Sequence, residues 1–301
     1  MNSLVKLIKL KTEIVADTGD IDLIQKLKPL DVTTNPSLIL NVCKDERFKT
    51  LLNTNDLEKI LVNFGTEISK HIDGYISTEV NPIYSYDKEK TIEIARKIIK
   101  LYQENGIDKS RILIKIAATW EGIEAAKELE LEEIKCNMTL IFSKTQALAC
   151  AQAKVTLISP FVGRITDWYK SKGYEIKSIK DDYGVNNVKL IHNYFKDNNY
   201  KTIIMGASFR NIEQIKALAG LDKLTISPKL IEELNNDLDS NFKSNLEIDG
   251  DFSVDIINKE NFNLEMSSNE MASTKLKEGI DKFITDTKIL EEILAKIKID
   301  F

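Results

Sequence analysis

The sequence predicts an α/β protein of the (β/α)8 barrel class, in which eight parallel strands close into a ring and each is followed by a helix. Short runs rich in Ile, Val and Thr recur along the chain, with segments of helical spacing between them. Eight such units fall within about 240 residues, close to the roughly 250 usual for this barrel. An open doubly wound sheet is the rival architecture, but no strand is followed by the GxGxxG turn of a dinucleotide crevice.

The expected strands, in order, are TEIVAD (12–17), DVTTNP (31–36), GYISTEV (74–80), RILIKIAA (111–118), CNMTLIF (136–142), VTLISPFVG (155–163), KTIIMGAS (201–208) and KLTISP (223–228). The clearest helix follows the third strand. Asp87 can cap it, and Ile92, Ala95, Ile98 and Tyr102 share one face before Gly106 stops it. Ser143 and Gln146 have the spacing of a capping box, Asn211 and Gln214 a related one, and Pro228 suits a first helical turn. Residues 236–270 break the pattern and are the only weakly patterned long region. A final amphipathic helix is expected over about 272–298, with Leu276, Ile280, Phe283 and Ile284 as its apolar stripe, packing on the barrel wall or a partner. No linker or longer repeat divides the chain, so a single domain over 1–301 is expected.

Composition narrows the function. The chain has 301 residues, 43% of them hydrophobic, which supplies a sizeable core and argues against disorder. Its 42 Lys+Arg against 47 Asp+Glu give a net charge of −5, which argues against a nucleic-acid partner. No run approaches the roughly 20 apolar residues of a membrane span, and the first residues lack a secretory pattern, so a soluble, cytoplasmic protein is expected. Cys43, Cys136 and Cys150 are far apart and read as small core residues, and His71 and His192 lie in helical segments. Neither a disulfide framework nor a metal site follows.

Strand side chains alternate between faces, so the parity of polar residues shows which share a surface. In the fourth strand Ile112, Ile114 and Ile116 take one face, while Leu113, Lys115 and Ala117 point into the barrel. Toward the C-terminal ends, Asp17, Thr33, Asn35, Ser77, Glu79, Asn137, Thr139, Ser159, Phe161 and Ser208 take the corresponding positions on the other strands. Seven strands thus aim polar groups at the mouth where barrels of this architecture keep their chemistry. Each charged residue alone would read as a cap, a snorkelling side chain or an ion-pair partner. Three together, converging with amides and hydroxyls, favour an active site, because an unpaired buried charge costs several kcal/mol.

A lysine in such a pocket has a specific use. Desolvation disfavours the ammonium, and the free amine can attack a carbonyl to give an imine, an electron sink that lets a neighbouring carbon–carbon bond break. Asp17 and Glu79 supply carboxylates to move the protons this chemistry requires. Arg164 and Arg210, just past the sixth and seventh strands, can bind phosphate with help from Ser208 and helix amides.

These residues resemble the transaldolase family of the bacterial and eukaryotic type. The stretches that carry the likeness are VADTGD (15–20), TTNPSLIL (33–40), ISTEV (76–80), RILIKIAATWEGI (111–123), CNMTLIFS (136–143), LISPFVGRITDWY (157–169) and MGASFRN (205–211), extending to Ser227 and Pro228. The resemblance implies a cofactor-free transferase of the pentose phosphate pathway. It would move a dihydroxyacetone unit from sedoheptulose 7-phosphate to glyceraldehyde 3-phosphate, giving erythrose 4-phosphate and fructose 6-phosphate. It places Lys115 on the Schiff-base lysine, Asp17 on the acid/base at the hydroxyl of the cleaved carbon, and Glu79 on a residue working through a water held with Thr139. Asn35 and Asn137 fall on groups that orient substrate hydroxyls, with Thr33 in the matching segment beside Asn35. Arg164, Ser208 and Arg210 fall on the phosphate site, with Ser159 near the substrate.

In the related hydrolytic aldolases a tyrosine tends to stand where this chain has Phe161, so phenylalanine points toward transfer. The segment 41–73 looks shorter than in longer family members, 236–270 matches weakly, and EMASTKLKEGIDKF resembles the family's final helix. The family also implies a homodimer. Three other readings stay open: a hydrolytic class I sugar-phosphate aldolase, a lysine barrel holding pyridoxal phosphate, and a catalytically silent scaffold. The pyridoxal phosphate reading predicts a coloured protein.

Overall fold

The computed structural model describes residues 1–254 and 256–296. Helix α1 (Ser3–Lys9) precedes β1 (Glu13–Asp17), and α2 (Ile21–Leu27) leads to β2 (Asp31–Thr33). Helices α3 (Pro36–Cys43) and α4 (Leu57–Ser69) lead to β3 (Ile76–Glu79), α5 (Lys88–Glu104) to β4 (Ile112–Ala117), and α6 (Trp120–Leu131) to β5 (Cys136–Ile141). Then come α7 (Lys144–Gln152), β6 (Leu157–Pro160), α8 (Val162–Ser171), α9 (Tyr183–Asp197) and β7 (Ile203–Gly206). Helix α10 (Ile212–Ala217), β8 (Lys223–Ile226), α11 (Pro228–Asn236), α12 (Lys259–Ser268) and α13 (Glu270–Leu294) complete the order. The eight strands pair in sequence order, all parallel, and β8 closes on β1. This is the (β/α)8 barrel the alternation predicts.

The helices start where their caps allow. Asp20, Asn35, Asp56, Asp87, Thr119 and Asn211 each accept from a backbone N–H in the first turn that would otherwise lack a partner. Ser143 and Gln146 form the full capping box. The caps also explain why several strands are shorter than expected. Asn35 is not a strand residue but the cap of α3, with Pro36 in its first turn, and Phe161 is already the N-cap position of α8. Gly106, at φ +80°, follows α5 as expected.

In the last part of the chain the structure fills in one segment that the pattern left open and corrects the bounds of another. Residues 236–270 contain α12, capped by Asn258. Its apolar pair Phe262 and Met266 is too short a stripe to stand out, yet both are buried, and Phe262 packs on Trp120 with ring centroids 5.4 Å apart. The final helix runs over Glu270–Leu294 rather than 272–298, and residues 297–298 lie outside those described. Helix α13 packs on α3, where Ser37 donates to the Asp286 carboxylate, and lies beside the C-terminal ends of the strands.

The barrel interior is layered. Val15, Leu113, Leu157 and Met205 form an inner apolar cluster, each at most 2% exposed. Toward the N-terminal ends, Lys223 points inward and bonds the carboxylates of Glu13 and Asp31, the latter at 2.7 Å. Burial pulls its ammonium toward neutrality, but the two carboxylates more than offset this and raise its pKa. Asp31 also accepts from the Tyr75 backbone N–H at 2.7 Å. The foot of the barrel is therefore closed by a paired charge with its hydrogen bonds made. Removing the cation with Lys223→Met strips Asp31 of its counter-ion, and a loss of about 3–5 kcal/mol in denaturant unfolding is expected. Unchanged stability would show that this pairing is dispensable.

Candidate active site

Strand register assembles the opposite end. Glu79 on β3 is the direct neighbour of Lys115 on β4, Lys115 of Asn137 on β5, and Ala117 of Thr139. Asp17 on β1 is the neighbour of Thr33 on β2, and Thr33 of Ser77 on β3. The odd-numbered side chains picked out by parity therefore meet in three dimensions. β5 interrupts the alternation just beyond Thr139: its register with β6 shifts between Met138 and Ile141, and Leu140 has φ +57°. Gln146 holds this irregular segment by donating to the carbonyls of Leu140 and Ala118.

A cavity of about 200 Å³ opens at this end. Asp17, Thr33, Asn35, Lys115, Thr139 and Ser159 line its strand side, and Phe161, Arg164, Ser208 and Arg210 its loop side. Glu79 sits behind Lys115 beside an adjacent smaller cavity, and Asn137 lies fully buried beneath the first. A larger cavity of about 470 Å³ near α1 is lined mainly by apolar side chains such as Leu4, Ile8, Ile14 and Leu30. Chemistry, not size, separates the two.

Lys115 is 5% exposed. Its Nζ donates to the Thr34 carbonyl at 2.9 Å and lies 3.4 Å from Glu79 Oε2. That oxygen and Thr139 Oγ1 are both buried without a hydrogen-bond partner among the described residues. Burial raises the Glu79 carboxyl above its ordinary range against the pull of Lys115 and Arg164, with the Asp17 charge adding to the rise. Asp17 is raised by burial too, opposed by Lys115, the Thr33 hydrogen bond and Arg164. Thr33 Oγ1 donates to Asp17 Oδ1 at 2.8 Å and lies 2.6 Å from Thr225 Oγ1. Below, Ser159 Oγ donates to Asn137 Oδ1 at 2.6 Å, and Asn137 Nδ2 donates to Ser77 Oγ at 3.0 Å.

The loop side is cationic. The Arg164 guanidinium lies over Phe161 at 5.0 Å and over Phe283 of α13 at 5.6 Å. Burial and the neighbouring Arg210 charge lower its pKa. Gly279, one turn before Phe283, lets the helix come this close: a Cβ there would stand 2.7 Å from Leu140 and 3.1 Å from Arg164 Nη1. Arg210 donates from Nε and Nη2 to Asp167 Oδ2 at 2.9 and 2.7 Å, and its Nη1 lies 3.4 Å from Ser208 Oγ. Ser208 itself is held at φ +60°.

Five lining residues escaped the sequence reading. Thr225 and Ser227 carry the polar parity of the eighth strand, which KLTISP displays; Ala207 and Phe209 flank Ser208 without a polar group to mark them, and Phe283 reads only as part of the final helix's apolar stripe. The expected helix stripe included Phe283 without indicating that it faces the cavity.

The fold and this cavity define a (β/α)8-barrel enzyme whose mouth holds a buried lysine beside two carboxylates. A family model described as transaldolase/fructose-6-phosphate aldolase matches residues 14–294. The chain is 47% identical to a transaldolase of Kluyveromyces lactis over 99% of its own length and 96% of the relative's. It is 49% identical to one of Alteromonas mediterranea, with 95% of each chain covered, and 46% identical to one of Schizosaccharomyces pombe, with 99% and 100% covered. The chain belongs to the transaldolase/fructose-6-phosphate aldolase family and is an enzyme of the transaldolase type, a transferase.

The raised Asp17 carboxyl has a consequence for stability. The folded state holds the proton more tightly than the unfolded chain, so stability is greatest below the ordinary value of 3.8 and falls as pH rises through the folded value. Asp17→Asn keeps the shape and an acceptor for Thr33. Its thermal midpoint should exceed the unmodified protein's at about pH 8, and the gain should vanish toward about pH 4. A midpoint lowered at the higher pH would contradict the assignment.

Proposed function

We propose that Lys115 forms a Schiff base with a ketose phosphate and passes a dihydroxyacetone unit from sedoheptulose 7-phosphate to glyceraldehyde 3-phosphate, releasing erythrose 4-phosphate and fructose 6-phosphate. The observation that carries this reading is an amine 5% exposed, with a carbonyl acceptor and one carboxylate at 3.4 Å, opening on a cavity that Asp17 also lines. The membership of the chain in the family supports it.

In this mechanism the Lys115 amine adds to the ketone, and the carbinolamine loses water to give the imine. Asp17 takes the proton of the hydroxyl on the carbon to be released. The carbon–carbon bond breaks, its electrons pass into the imine as an enamine, and the first aldehyde leaves. The acceptor aldehyde then enters, the enamine attacks its carbonyl, and Asp17 returns the proton to the new hydroxyl. Water finally hydrolyses the imine and frees the amine. Glu79 and Thr139 handle that water: each has a buried oxygen without a hydrogen-bond partner among the described residues, which a bound water can satisfy. A carboxyl raised by burial is suited to exchanging protons near neutral pH. Asn35 spends its Oδ1 on capping α3, which leaves its NH2 for a substrate hydroxyl.

The cationic side suits the phosphate, with Arg164, Arg210 and Ser208 as its ligands and Ser159 nearer the carbon chain. Phe161 favours transfer over hydrolysis, because its ring offers no hydroxyl to activate water against the waiting enamine.

Borohydride reduction in the presence of fructose 6-phosphate should fix a three-carbon dihydroxyacetone-derived unit on Lys115, read by peptide mass mapping. A label elsewhere or none overturns the mechanism, as does turnover by Lys115→Ala. In Asp17→Ala, trapping with added dihydroxyacetone should persist while carbon–carbon cleavage slows by roughly one hundred to ten thousand-fold. Loss of trapping in a folded variant would place Asp17 earlier in the sequence of steps.

A further inference from the structure

Given the phosphate site proposed above, we propose that Gln214 and Asp182 are positioning residues that set where Arg210 stands. Neither lines the cavity; both act through the arginine's backbone. Gln214, in the first turn of α10, is fully buried and uses its amide at both ends. Its Oε1 accepts from the Arg210 backbone N–H at 2.8 Å, while its Nε2 donates to Asp182 Oδ2 at 2.9 Å and to Thr166 Oγ1 at 3.0 Å.

Charge fixes which way the amide points. A carboxylate can only accept, so the Gln214 NH2 must face Asp182 and its oxygen must face Arg210. Asp182 is locked in turn: its Oδ1 accepts from Thr166 Oγ1 at 2.8 Å and from the backbone N–H groups of Gly184 and Val185 at 2.9 and 3.1 Å. The start of α9 is thereby pinned against α8, where Gly184 lies so close to the Val162 carbonyl that a Cβ would collide with it. Helix α8 carries Arg164 and Asp167, and its Gly163 N–H donates to the Ser208 carbonyl at 2.8 Å. Arg210 is thus tied at its backbone through Gln214 and at its guanidinium through Asp167, with both ties leading back to α8. A phosphate shared by Arg164, Ser208 and Arg210 needs these two loops in register to within a fraction of an ångström.

The test compares fructose 6-phosphate with unphosphorylated fructose as donor to the full chain. Gln214→Met keeps the length and removes both polar ends. Asp182→Asn presents an NH2 to the Gln214 NH2, which turns the glutamine round and takes its oxygen from Arg210. Each should raise KM for fructose 6-phosphate about tenfold, the effect of one or two lost hydrogen bonds. Each should leave kcat within about twofold and leave kcat/KM for fructose unchanged, and the double variant should be no worse than either single one. Thr166→Val, a milder change, should show the same selectivity loss in smaller measure and serves if the first two fail to fold. Unaltered donor selectivity in any folded variant overturns the assignment, and so do equal losses on both donors or additive losses in the double variant. If the unmodified enzyme does not favour the phosphorylated donor, the phosphate site itself is overturned. Selectivity in the unmodified enzyme with no effect of the variants removes only the positioning role.

Discussion

The cavity depends on one incompletely satisfied interaction, the Lys115 amine beside Glu79. Parallel pairing makes these residues neighbours on β3 and β4, so the contact follows from strand register rather than from loop placement. The chain contains an internal contrast. Lys223 also points into the barrel, but two carboxylates bond it and raise its pKa, so its proton is held. Lys115 has one carboxylate at 3.4 Å and a backbone carbonyl. The first arrangement is a closed structural pair. The second leaves an oxygen of Glu79 without a hydrogen-bond partner among the described residues, and the proposed mechanism draws on that spare capacity.

Much of this was legible in the sequence because a strand has a period of two. Lys115 between Leu113 and Ala117, or Glu79 two residues after Ser77, announces a shared face without coordinates, and closing the sheet carries those faces into one space. Strand centres were read well for the same reason. Their ends were not, because Asn35 and Phe161 are decided by helix caps that compete for the same residues. Helix α12 escaped because two buried apolar residues do not make a stripe. Phe283 was visible as part of a stripe, but nothing local says that Gly279 lets its helix reach Arg164. Nor does spacing reveal that Asp182, capping α9, accepts a hydrogen bond from Gln214 in α10. Such contacts are set by packing between distant segments.

The two sides of the cavity are also built differently. Strand residues supply the amine, carboxylates and hydroxyls from backbone whose positions the barrel fixes. The cationic side comes from the start of α8 and the loop before α10, with α13 packed over it, all beyond the ends of the strands. Their alignment rests on buried polar bonds, close glycine contacts and the stacking of Arg164 between Phe161 and Phe283. Precision there is assembled from many modest interactions, each on a different piece of chain.

The closed foot of the barrel constrains traffic as well as stability. With Val15, Leu113, Leu157 and Met205 packed across the interior and Lys223 sealed beneath them, the cavity is a cul-de-sac. Whatever enters must leave by the same door. For the transfer proposed above, a single entrance means that the first aldehyde must depart before the second arrives.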